Sequence, residues 1–153
     1  MTSLYDASIP VLTKILQTEV TILEKAEAFA RDNDKPITDF LDARLSPDMF
    51  PLTWQIGITV MCARKAVELL AGKKLEELQL KDYSLEESHT ILAGALKELA
   101  DVKPESIIVK EQENITFNIG KNVTTTTAQD WMKGVPLGKR DYLAHLIEGW
   151  VLS

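Results

Sequence analysis

Three stretches of this chain repeat apolar residues at intervals of three and four, and that spacing constrains the fold more than any other feature. In residues 11–30, Leu12, Ile15, Leu16, Ile22, Leu23, Ala26, Phe29 and Ala30 fall on one side of a helix. Between about 49 and 71 the seam is Ile56, Val60, Ala63, Val67 and Leu70. From 84 to about 101 it is Leu85, His89, Leu92, Leu96 and Leu99. No amphipathic helix can hide its stripe alone. The three must share one core, and an antiparallel bundle is the economical arrangement.

Local signals mark the ends of these helices. Ser8 is expected to cap the first, with Pro10 in its opening turn, where the missing N–H costs little. The polar run "RDNDKP" at 31–36 stops it. Residues 37–45 read as a further turn or two, with Phe40, Leu41 and Leu45 inward, until Ser46-Pro47 ends them. Gly72 suits the C-terminal cap of the second long helix. "SLEE" at 84–87 is a capping box opening the third.

Past Pro104 the period changes. Residues 107–109, 115–117 and 123–126 are short and β-rich, with a turn at 118–122, so a small hairpin is expected. "TAQD" at 127–130 is a second capping box, opening a short helix. Residues 140–152 read as a last helix, with Tyr142, Leu143, Leu146, Ile147 and Trp150 as its apolar positions. The expected class is therefore mainly all-α, a single helical-bundle domain over 1–153 with a small β-hairpin insertion.

Charge and cysteine usage narrow the function. The 17 basic and 23 acidic side chains leave −6, which disfavours a nucleic-acid or anionic-membrane role. No apolar run approaches the roughly 18 residues that read as a membrane span. The single cysteine, Cys62, cannot form an internal disulfide, and the first residues lack the pattern of a secretory signal, so a cytoplasmic location is expected.

Three segments carry a resemblance. "LYDASIPV" at 4–11, "LDARLSPDMFPLTWQI" at 41–56 and "GVPLGKRDYL" at 134–143 resemble a family of bacteria and fungi described as domain of unknown function 1993, which is similar to the DinB-like four-helix bundles. The resemblance spans roughly 4–72 and 127–150 and implies a four-helix bundle. It implies no established activity for the family. Against the family pattern, "TAQDWMKG" runs straight into "VPLGKRDYL", so the fourth helix reads as shortened. The wider DinB-like group includes metal-dependent enzymes with three histidine ligands, one on the second helix and two on the last. This chain has two histidines, His89 and His145, and none on its second helix. No metal and no cofactor are expected.

The stretch "LSPDMFPLTW" at 45–54 holds most of the candidate site residues. Asp48 can accept from free N–H groups at the start of the second long helix, and Pro51 suits its first turn. Met49, Phe50 and Trp54 can then cover the bundle end or wall a pocket there. His89, on the third helix, is a titratable candidate for the same pocket. Cys62 reads as a small buried hydrophobe, and Arg64 and Lys65 beside it as outward-pointing. The functional expectation is a non-catalytic module that binds a small apolar ligand or a protein partner. The alternative is a DinB-like transferase or hydrolase whose metal site is lost or degenerate. A homodimer is also expected, since a shortened fourth helix leaves apolar stripes for residues 140–152 of either copy to cover.

Overall fold

The computed structural model describes residues 3–44, 47, 48, 50–109, 112–119, 122–128 and 130. They form a mainly helical bundle. Helix α1 is Leu4–Asp32, α2 Thr38–Leu41, α3 Leu52–Ala71 and α4 Leu85–Ala100. A 3-10 turn at Pro104–Ser106 leads to an antiparallel hairpin, β1 Asn114–Ile119 and β2 Asn122–Thr127. The hairpin register pairs Ile115 with Thr126 and Ile119 with Asn122.

Helix α1 is longer than its period suggests. Ser3, not Ser8, is the cap, its hydroxyl accepting from the Asp6 N–H at 3.1 Å. Pro10 therefore lies inside the helix, on its exposed side: it gives up the bond to the Asp6 carbonyl and its ring crowds that carbonyl, which faces water there. Ser8 is fully buried and returns its hydroxyl proton to the Leu4 carbonyl at 2.5 Å. Serine and proline together imitate a helix start, but Leu4 and Ile9 are buried and extend the apolar stripe across them.

The other boundaries follow the local chemistry. Ser84 caps α4, accepting from the Glu87 N–H at 3.1 Å. Gly72 ends α3 in the left-handed region, at φ 70°. Helix α3 begins at Leu52 rather than near 49, with Pro51 at the cap position and the Leu52 N–H donating to the Ala43 carbonyl at 3.0 Å. Leu41 is buried from α2, while Leu45 lies outside the described residues. Residues 107–109 do not form a strand: they follow the 3-10 turn, and the Ile108 N–H donates to the Leu70 carbonyl at 2.8 Å. The hairpin at 114–127 is as expected.

Helix directions follow from the contacts. Glu27, late in α1, meets His89, early in α4, so these helices run antiparallel. Trp54 at the start of α3 bonds Asp82, just before α4, so α3 and α4 start at the same end and run parallel. That arrangement needs a connection running back along α3. Thirteen residues, 72–84, supply it without regular structure. An extended chain covers about 3.3 Å per residue and a helix about 1.5 Å, so the strap easily spans α3.

The strap is tied down along its path. Leu75 N–H donates to Glu68 at 3.3 Å, Arg64 to the Glu76 carbonyl at 3.0 Å, and the Tyr83 hydroxyl to the Gln79 carbonyl. A Cβ on Gly57 would meet Leu80 at 3.1 Å, so glycine lets the strap lie close against α3. Arg64 also donates to both oxygens of Glu98 on α4, at 3.1 Å each. It is thus not outward-pointing: its guanidinium is half-buried and locks α3, strap and α4 together.

One apolar core unites the elements. The α3 seam Ile56, Val60, Ala63, Val67 and Leu70 is buried throughout. On α4 the buried face is Ser88, Leu92, Ala95 and Leu99, with Leu85, His89 and Leu96 at its edge. Small residues at 88 and 95 turn that face slightly from the seam that the large residues suggest.

Candidate functional site at the joint end

Helix α1 finishes, and α3 and α4 begin, at one end of the bundle. The joint from α1 to α3 crosses it. Phe50 precedes the buried Pro51 and Leu52, which pin the chain against the core. Its ring stacks on Trp54, with centroids 5.3 Å apart and planes 19° from parallel. Phe50 remains 50% exposed. The Trp54 indole N–H donates to the Asp82 carboxylate at 2.6 Å. A charged acceptor shortens and strengthens such a bond, so the indole orientation is set by the strap.

A second aromatic pair lies at the same end. Phe29, in the last turns of α1 and 49% exposed, meets Phe40 of α2 edge-on, at 5.7 Å and 77°. The Lys35 ammonium sits 5.8 Å from the Phe29 ring centre. Lys81 similarly lies 5.2 Å from the Tyr83 ring and forms a 2.9 Å ion pair with Glu87. The hydrogen bond between them raises the Lys81 pKa and lowers that of Glu87, with their Coulomb attraction adding to both.

The expected site residues divide. Phe50 and Trp54 come together as a stacked pair. His89 is half-buried in the seam between α4 and α1, with Nε2 3.9 Å from Glu27. Among the described residues no hydrogen bond or ring contact joins it to that pair. Met49 and His145 lie outside the described residues. Among the described residues no three of histidine, cysteine, aspartate and glutamate gather as a group able to hold a metal ion.

Two features escape the sequence reading. At the opposite end an open cleft of about 600 Å³ is lined by Ser3, Leu4, Tyr5, Pro104, Ile107, Val109 and Gln112. Its walls come from segments a hundred residues apart, and no local pattern joins them. Inside the bundle, Glu19 is only 2% exposed and accepts from the Thr59 hydroxyl of α3 at 2.8 Å. Glu19 could have been found, since it interrupts the apolar stripe midway between Ile15 and Leu23.

The family described as a domain of unknown function, DUF1993, matches residues 4–133. The chain belongs to this family. The DUF1993 match includes the middle of the chain, which the resemblance did not cover, and ends just before "GVPLGKRDYL". The fold is also that of a crystal structure of a DinB family member protein from Shewanella denitrificans. The two are 22% identical, with a TM-score of 0.76 over 95% of this chain and 83% of that one. No curated protein matches the chain. The shortened fourth helix expected here falls almost wholly outside the described residues. Of its opening, Ala128 and Asp130 are helical, and the Asp130 N–H donates to the Thr127 hydroxyl at 3.2 Å. No helix of the described residues is long and apolar enough to cross a membrane.

Proposed function

We propose that this DUF1993 protein is a non-catalytic binding module whose joint end takes an apolar group of a small ligand or partner protein. The observation that carries the reading is Phe50, half-exposed and stacked on a tryptophan whose own polar handle is already engaged. An aromatic ring held in one orientation loses little entropy on binding, which is why such rings dominate recognition surfaces. Met49 and Trp54 are proposed as further walls, and His89 as a flanking polar group. A homodimer built through residues 140–152 belongs to the same proposal, as does action in the cytoplasm, which the single cysteine supports.

The test is a titration with neutral aromatic fragments, followed by the indole N–H resonance of Trp54. Fragments should shift that resonance, and Phe50→Ala should weaken them roughly tenfold, as loss of a central contact does. Shifts confined to Leu4, Tyr5 and Ile107 would move the site to the opposite cleft and overturn the reading.

A further inference from the structure

The negative charge of this protein is not spread evenly. The two segments that build the joint end, 31–50 and 81–89, hold eight carboxylates against four lysines and arginines, a net −4 of the −6 in the whole chain. The remaining residues, more than four-fifths of the chain, are nearly balanced. The half-exposed rings of Phe29 and Phe50 stand within this acidic end. Twice there the protein already sets a lysine against an aromatic ring, Lys35 on Phe29 and Lys81 on Tyr83. Among the described residues no lysine or arginine lies over the Phe50 ring in the same way.

We infer that the joint end docks a basic, apolar peptide segment of another protein, with a lysine or arginine laid on the Phe50 ring. This rests on the reading of the joint end as a binding surface and names its partner chemistry. The face of an aromatic ring attracts a cation, and more strongly as water is excluded. Surrounding carboxylates raise the local concentration of a basic partner and steer its approach. Trp54 adds to this, because donating its N–H to Asp82 leaves a carboxylate beside the stacked pair. The same charge repels the other candidate occupants. Two joint ends brought face to face would set net −4 against net −4, and nucleic acid or an anionic membrane meets the same sign. The two exposed rings belong to different elements, α1 and the joint. A peptide segment carries several side chains to set against two rings, whereas a small amine carries one group.

The experiment uses the full chain and two short synthetic peptides of the same length, one alternating lysine with leucine and one alternating glutamate with leucine. Binding is read from the Trp54 indole resonance, assigned with Trp54→Phe. The lysine peptide should shift it and the glutamate peptide should not. Raising salt toward 1 M, where the screening length falls to about 3 Å, should weaken the lysine peptide at least about tenfold. Phe50→Ala, at a half-exposed position where folding should persist, should weaken it by a similar factor, with an unchanged thermal melt as control. Equal binding of both peptides, or no response to salt, would overturn the inference and leave apolar recognition standing. Neutral fragments that bind while the lysine peptide does not would do the same. Silence from fragments and peptides alike would remove both readings.

Discussion

At the joint end, Phe50 stands half in water on a tryptophan fixed by Asp82, and Lys81, Glu87 and Lys35 are engaged by exposed side-chain contacts. At the cleft end, Leu4, Ile107 and Val109 turn apolar surface into an open hollow, and the ties are backbone ones: the Ile108 N–H to Leu70, and the left-handed Gly72. The first end shows its aromatic surface outward on an indole oriented by Asp82. The second tucks Leu4 and Ile107 partly away and presents an aliphatic side chain, Ile108, 68% exposed, in place of stacked rings. Stacked aromatic rings, with few rotatable bonds to freeze, suit recognition, while a backbone-bonded closure mainly completes the core. On the proposed reading, the difference assigns stability and recognition to different ends of one bundle.

Mutation can break that comparison. The largest effect should come from the middle, on which both ends depend. Leu92 is fully buried on α4, so Leu92→Ala should cost about 2–5 kcal/mol in denaturant unfolding. Phe50→Ala, by contrast, should cost under about 1 kcal/mol, as changes at exposed positions do. Equal losses at the two sites would mean that Phe50 is part of the core and the joint end no recognition surface.

A middling effect sharpens the account of the cleft end. Gly72 has φ 70°, and an added Cβ would lie 2.9 Å from Cδ1 of Ile108. Gly72→Ala should therefore cost about 1–2 kcal/mol for the left-handed backbone, with some further loss from that contact. A melting temperature unchanged from the parent would show that this backbone closure matters less than its geometry implies.

The smallest effect belongs to the joint end and is one of pH. Glu87 has its pKa lowered, first by the hydrogen bond from Lys81, so the folded state favours its ionised form. Its contribution is present above the ordinary glutamate range and is lost as pH falls through the depressed folded value. Lys81 has the opposite sign: its raised pKa gives a contribution lost only as pH climbs through that raised value. Both groups are exposed and screened, so the slopes are slight. Glu87→Gln should flatten the acid-side stability profile by a small, measurable amount. A profile identical to the parent's would show that the ion pair does not couple to folding.

Much of the fold was legible in the sequence because helical period, capping boxes and a glycine cap act within one or two turns. Ser84 with Glu87, and Gly72, could be read from neighbours alone. So could the α3 seam and the hairpin, and the three distinctive segments pointed to the DUF1993 family. The local signal misled at Ser8 and Pro10, where a start-like pair lies within a stripe that the core carries through to Leu4. Of the site, the stacking of Phe50 on Trp54 was within reach, since both belong to one joint.

What only the tertiary structure decided lies between distant segments. The parallel course of α3 and α4 depends on a strap whose composition carries no periodic signal and whose path is set by Trp54, Gly57 and Arg64. Arg64 seemed a surface residue because its partners, Glu76 and Glu98, are 12 and 34 positions away. Thr59 meets Glu19 across 40 positions. Local rules fix which residues turn inward on each helix, because backbone geometry repeats every few residues. Which helix each stripe then meets, and in which direction, is settled only when all the apolar faces compete for one shared core.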